Sequence, residues 1–256
     1  MTGDGKNMLK PLKWYKNLAT KKGRLEAGAF LIEGDRAIKQ IISSNPDEII
    51  EILSTVELSP LYCSYTRRPL TDSQLRSISS TETPQGTIAV VRLPPDIYSD
   101  QLPDSTGGKI LLLEDVQDPG NVGTLIRTAA AFDFSGIIMT EKCADPLSPK
   151  CVQSTAGTVL SLWLRRTSRY LELVKRLKNT GYSLFATDLG GGEDPSVLQY
   201  PDKLLLALGN EASGLSNSIL SASDYRLRVP TVRGKVESLN VAACGAICMY
   251  LSYHKY

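Results

Sequence analysis

Residues 118–132, DPGNVGTLIRTAAAF, read as a helix that opens well and then gives up side chains. Asp118 is a strong N-cap and Pro119 a favoured first helical residue. Gly120 and Gly123 follow, and each glycine in a helix interior costs roughly 1 kcal/mol relative to alanine. At helical spacing Val122, Leu125, Ile126, Ala129 and Ala130 form an apolar face, while Gly120, Gly123 and Arg127 fall on another. Two readings fit that second face. It lets a ligand approach the backbone, with Arg127 presenting a planar fork to a phosphate and Asn121 orienting a hydroxyl. Alternatively it is a close helix contact, with Arg127 in a surface ion pair.

Outward from this helix, strands and helices alternate. KILLLE (109–114) precedes it as an apolar run of strand length. After it come GIIMT (136–140), a helix from about 148, SLWLRR (161–166), a helix through YLELVKRLKNT (170–180), then YSLFATD (182–188), KLLLALG (203–209) and YRLRVP (225–230). A last helix is predicted from about 238 to 253. Such alternation predicts an α/β unit with a parallel sheet covered on both faces, whose ligands gather at the C-terminal ends of the strands. Upstream, AFLIEG (29–34), EIIEIL (48–53), LYCSY (61–65) and GTIAVV (86–91) read as strands, with helices near 35–44 and 72–80. The Pro- and Asp-rich run between reads as a linker. The expected organisation is therefore a small α/β module over 1–93, a linker over 94–108 and the parallel-sheet unit over 109–256.

Composition narrows the chemistry. The chain has 256 residues and a net charge of only +2, so a nucleic-acid partner must be met by a local patch. The seven Lys and Arg between Lys6 and Arg24 are the best local candidate, although a solvated, partly disordered terminus explains them too. Five cysteines without a C-x-x-C pair argue against a disulfide framework or zinc ribbon, and a reducing cytoplasm fits. Cys244 and Cys248 share a helix face with Val241 and Gly245, which reads as packing, and no metal is expected. His254 is the one histidine, so mechanisms that need a placed imidazole have little to work with. Neither a signal peptide nor a membrane-spanning run is expected.

Two further loops follow apolar strands. LGNEASGLS (208–216) brackets Glu211 between Gly209 and Gly214, and its serines suit capping of the next helix. A plain strand-to-helix turn explains those glycines but does not require the acid. VPTVRGKVESLNVAACGAICMYL (229–251) passes from a strand end through a basic turn into a helix, which places the amides of Ser238 and Leu239 at a helix N-terminus. DLGGGEDP (188–195) lacks the spacing of a dinucleotide-binding loop and reads as a flexible turn, and no Walker A sequence is present.

In order and spacing, DPGNVGTLIRTAAAFDFSGI, LALGNEASGLS and VPTVRGKVESLNVAACGAICMY resemble the three motifs of the SpoU (TrmH) family of RNA 2'-O-ribose methyltransferases, within the SPOUT superfamily. FLIEGDRAIKQ with TPQGTIAVV is similar to the ribosomal-protein-like substrate-binding module that many members carry. The resemblance implies a SPOUT domain with a deep trefoil knot, a homodimer with active sites at the subunit interface, and S-adenosylmethionine as methyl donor. It assigns cofactor contacts to Gly209, Val229 and Leu239, with Thr187 beside the cofactor, and makes Arg127 the essential arginine. Asn121, Glu211, Ser238 and Asn240 match the other polar motif positions. On that reading the glycine face stays bare for RNA backbone and cofactor. Members with this module mostly act on large-subunit rRNA, which favours rRNA over tRNA. A protein that binds RNA without catalysis is the alternative of another class, and the intact polar positions argue against it. Motif three departs from the usual Ile-Pro-Met at Val229, Pro230 and Thr231, and Arg233 adds a charge there.

Overall fold

The structure is a computed structural model and describes residues 10–188, 190–232, 235 and 238–253. Arg233 and His254, singled out in the sequence, lie outside the described residues. The chain forms two compact units, one reaching Leu93 and including Leu147–Pro149, the other running from Pro94 to Pro146 and onward from Lys150.

The first unit contains helices α1 (Leu12–Asn17), α2 (Lys21–Ala27), α3 (Asp35–Ser44) and α4 (Asp72–Arg76). Its strands are β1 (Ala29–Glu33), β2 (Ile49–Ser54), β3 (Arg67–Pro69) and β4 (Thr87–Arg92), ordered β1-β4-β2-β3. Only β2 and β3 pair in parallel. Three expectations are corrected. The basic stretch after residue 10 folds: Thr20 Oγ1 accepts from Gly23 N at 3.0 Å to cap α2, and Tyr15 and Leu18 are buried. LYCSY is no strand, because Pro60–Tyr62 forms a 3-10 turn in which Tyr62 alone turns inward and donates to Asp35 Oδ1 at 2.5 Å. The helix expected to reach residue 80 stops at Arg76, since Ser79 and Ser80 turn to the Glu33 carboxylate at 2.5 and 2.7 Å.

The second unit carries β5 (Lys109–Leu113), α5 (Pro119–Ala131), β6 (Gly136–Met139), α6 (Pro149–Thr155), β7 (Trp163–Arg166), α7 (Tyr170–Asn179), β8 (Ser183–Thr187), β9 (Leu204–Leu208), α8 (Asn217–Ala222), β10 (Tyr225–Leu227) and α9 (Val241–Tyr253). Its six strands are all parallel, in the order β10-β8-β9-β5-β6-β7. The sheet thus grows from β5 through β6 to β7. The chain then crosses to lay down β8, and β9 fills the gap beside β5.

Alternate residues serve opposite faces of this sheet. Ile110, Leu112, Leu184, Leu205 and Ala207 pack with Leu173 and Leu177 of α7 and Ile219 of α8. On the other side α5 and α9 lie together, and the backbone of Gly245 in α9 approaches Leu125 of α5 and Leu208 of β9. Residues 94–108, expected as a linker, lie along β7: Arg166 N donates to Ile97 O at 2.7 Å, Arg165 Nε to Gln101 O at 2.6 Å and Trp163 Nε1 to Thr106 O at 3.1 Å. Among the described residues, no helix is long and apolar enough to cross a membrane.

Candidate active site

The three loops meet through one amide. Asp118 caps α5 by accepting from Asn121 N at 2.9 Å, which fixes where the Asn121 side chain starts. Its Nδ2 donates to Glu211 Oε1 at 2.9 Å, and its Oδ1 accepts from Asn240 Nδ2 at 3.0 Å. Asn240 is itself fixed, because its Oδ1 accepts from Ala242 N at 2.9 Å and caps α9. The last helix therefore begins at Val241 rather than 238. Ser238 and Leu239 precede the helix, and Asn240 takes the capping position, a role for which asparagine is well suited.

A cleft of about 290 Å³ opens at the C-terminal ends of β8, β9 and β10. All four expected cofactor contacts, Thr187, Gly209, Val229 and Leu239, line it, together with Glu211 and Ser238. Leu208, Leu215 and Leu227 supply apolar wall, and the loops supply main-chain groups. The sequence reading missed Asp188, which also lines the cleft. Its carboxylate accepts from Gly190 N at 2.8 Å and pairs with Arg226 NH1 at 3.4 Å. The start of the dismissed run, at Asp188 and Gly190, is therefore part of the wall, and its strand-end position was the available signal.

The loop after β9 is tightly built. A Cβ on Gly209 would fall closer than 3.0 Å to the backbone of Gly214 and Leu215, so only glycine fits this approach. Asn210 N donates to Gly214 O at 3.1 Å and Gly214 N to Asn210 O at 2.9 Å, closing the loop on itself. The Asn210 side chain accepts from Ala212 N and Ser213 N, both at 3.0 Å, and donates to Asp115 O at 2.9 Å. Below it, the buried carboxylate of Glu114 accepts from Ser216 N and Ser216 Oγ at 2.7 Å and from Tyr170 Oη at 2.6 Å. Burial, followed by the bond to Glu114, pushes the Tyr170 phenol up to about 12.

Arg127 stands apart. It is exposed on α5, and among the described residues it makes no hydrogen bond or ion pair. Six residues beyond Asn121, it lies about 9 Å further along the helix axis. The bare-face expectation is corrected at Gly123. That glycine is buried, and a Cβ there would come within 3.0 Å of Cys151 O and Ser154 Cβ of α6. Close helix packing explains it, whereas at Gly120 a Cβ would meet only the Asp118 side chain. Cys244 also lines the cleft. Its thiol is held below the ordinary range by the Cys248 thiol, while that hydrogen bond and then burial push Cys248 well up. Among the described residues, no group of three or more His, Cys, Asp or Glu side chains is placed to hold a metal.

Residues 108–250 match the SpoU rRNA Methylase family, and residues 10–89 match the MRM3-like substrate binding domain. The chain is 33% identical over 242 residues to the 23S rRNA (guanosine(2553)-2'-O)-methyltransferase RlmP of Bacillus subtilis, covering 93% of this chain and 94% of the relative. It is 29% identical over 250 residues to the 23S rRNA (uridine(2479)-2'-O)-methyltransferase of Streptomyces viridochromogenes, covering 93% and 86%. The solved structure of the SpoU methyltransferase AviRb from that organism, in complex with AdoMet, superposes with a TM-score of 0.80 at 26% identity over 94% of this chain and 96% of that one. A family match across more than half of the chain, and a relative matched along nearly its whole length, establish that the chain belongs to the SpoU rRNA methylase family.

Proposed function

We propose that this chain is an S-adenosylmethionine-dependent methyltransferase that acts on a ribose 2'-oxygen of large-subunit rRNA. The observation that carries the reading is the Glu211–Asn121–Asn240 relay, which joins the three motif loops at the rim of a cleft lined by Thr187, Gly209, Val229 and Leu239. The cleft fits the cofactor chemically: its apolar walls suit a purine face, main-chain groups suit polar edges, and the Glu211 carboxylate suits a nearby sulfonium. S-adenosylmethionine, when bound, supplies an electrophilic methyl group. The chain's own task is to place and polarise a weakly acidic hydroxyl in line with it. Asn121 and Asn240 orient the rim, with Ser238 beside them. Arg127 holds the ribose phosphate and stabilises developing charge on the 2'-oxygen, because a guanidinium that stays protonated is a poor base.

The first unit supports an RNA partner. Lys10, Lys13, Lys16, Lys21 and Lys22 are exposed on or beside α1 and α2, and the matching domain in the family is named for substrate binding. Arg24 does not join them, since it is buried with NH1 bonded to Leu18 O and Ala19 O at 3.1 Å. A homodimer is also part of the proposal. Ile247, Tyr250 and Tyr253 expose a broad apolar strip on α9, and Phe132 at the end of α5 packs on both tyrosines. Arg127, about 9 Å past the relay along α5, suits a site completed by a second copy. The trefoil knot belongs here as well: after β10 at one edge of the sheet, the chain returns to set α9 against β9 and α5. The proposal extends to a cytoplasmic location, which a ribosomal substrate supports. Calorimetry with S-adenosylmethionine, followed by methyl transfer to unmodified rRNA and tRNA separately, tests the proposal. Binding with transfer to rRNA supports it, transfer to tRNA alone overturns the substrate, and a protein that binds RNA but no S-adenosylmethionine overturns catalysis.

A further inference from the structure

Resting on that function, we propose that Glu114 is a positioning residue for the cofactor cleft, acting through Ser216 without touching the ligand. Glu114 follows β5, and its N–H donates to Leu208 O at 2.9 Å, so its backbone is tied beside the strand that leads into Gly209. Its side chain is only 4% exposed. No ion pair with it is formed among the described residues, so hydrogen bonds alone offset the cost of burying it. Three donors converge on its two oxygens: Ser216 N, Ser216 Oγ and Tyr170 Oη. A carboxylate accepts from all three, whereas an amide turns an N–H toward at least one of them.

What this anchor holds is the exit of the cleft loop. Ser216 caps α8, and its Oγ also accepts from Ile219 N at 3.4 Å. Leu215 and Gly214, which immediately precede it, wall the cleft and press on Gly209 with no room for a Cβ. Moving Ser216 therefore moves the backbone opposite Gly209. The entrance of the loop is held separately by Asn210 on Asp115 O, and Glu211 reaches Asn121 between the two anchors. Losing the Glu114 anchor should therefore widen the cofactor wall while leaving the RNA-facing relay in place.

The test compares wild type with Glu114→Gln, Tyr170→Phe and Ser216→Ala in the full chain, reading the Kd and KM for S-adenosylmethionine, the KM for rRNA, kcat at saturation and Tm. Glu114→Gln is expected to weaken S-adenosylmethionine about tenfold in both Kd and KM, with kcat and rRNA KM within about twofold, the size of one charge-assisted hydrogen bond lost. Tyr170→Phe, which leaves both Ser216 bonds, is expected to change Kd by less than about threefold, and Ser216→Ala, which keeps the main-chain N–H on Glu114 and loses only the hydroxyl bond, should fall between the two. An unchanged Kd in Glu114→Gln with a lowered Tm would overturn the proposal and leave a merely structural carboxylate. If Glu114→Gln does not fold, Glu114→Asp, which keeps the charge but draws it back from the Ser216 donors, takes its place, and an unchanged Kd there overturns the proposal equally. A wild type that binds no S-adenosylmethionine would instead overturn the functional reading beneath it.

Discussion

At the scale of single residues, the site depends on which atoms are already committed. Asn121 uses one side-chain donor on Glu211 and its acceptor on Asn240, so its amide serves as the joint of the three loops. Replacing it with alanine frees both partners, and kcat/KM for methyl transfer is expected to fall about a hundredfold with little loss of Tm, measurable by steady-state kinetics. Arg127→Lys keeps the charge and loses the planar fork, and most of kcat is expected to go with it; near wild-type turnover would show that charge alone suffices. Asp118 adds a pH dependence. The Asn121 main-chain N–H, opposed by slight burial and helped by Lys150, holds the Asp118 carboxyl below the usual 3.8. A depressed folded pKa contributes stability that is complete above the unfolded value and is lost as pH falls through the lower folded one. Asp118→Asn keeps an N-cap without the charge, so its Tm should fall below wild type at pH 7, and the gap should close as pH falls below 3.8 and through the lower folded value. A gap that persists at low pH would assign the effect to the cap rather than the charge.

At the scale of elements, the helix α5 shows what a sequence can and cannot say. Its start, its apolar face and its cap were legible because each is a local property of residues 118–132. The use of Gly123 was not, because α6 approaches it from 28 residues away, and ligand and helix make the same demand on a bare face. Gly123→Ala is therefore expected to cost about 1–3 kcal/mol by forcing α5 and α6 apart, while Gly120→Ala meets only the capping Asp118 Oδ1, whose displacement is offset by the roughly 1 kcal/mol that alanine gains over glycine in a helix; thermal melts compare them directly. The same limit explains β3. A three-residue edge strand of Arg67, Arg68 and Pro69 carries no apolar signal, whereas LYCSY imitates alternation by burying one tyrosine. Cleft residues fell between these cases. Gly209, Glu211 and Asn240 stood out by type and position, but Glu114 reads as the last residue of an apolar strand until Ser216 and Tyr170 close on it.

At the scale of the whole molecule, the sheet order decides where the chemistry gathers. Placing β9 between β8 and β5 brings the loops after three strands to one cleft, and the helix after β10 then returns to supply Asn240. Alternation in the sequence was enough to predict a parallel sheet, but not its order, which depends on crossovers that leave no local trace. The exposed strip on α9 extends the argument to assembly. Ile247→Asp with Tyr250→Asp is expected to turn the proposed dimer into a monomer by analytical ultracentrifugation and to abolish transfer; an active monomer, in wild type or variant, would refute a site shared between copies. The most direct test of the whole account is to supply purified protein with labelled S-adenosylmethionine and unmodified rRNA, then map the label by ribose-methylation sequencing beside Arg127→Ala. The account predicts one labelled 2'-oxygen in large-subunit rRNA, absent with the variant. A folded protein that binds S-adenosylmethionine yet labels no ribose in any RNA would contradict it.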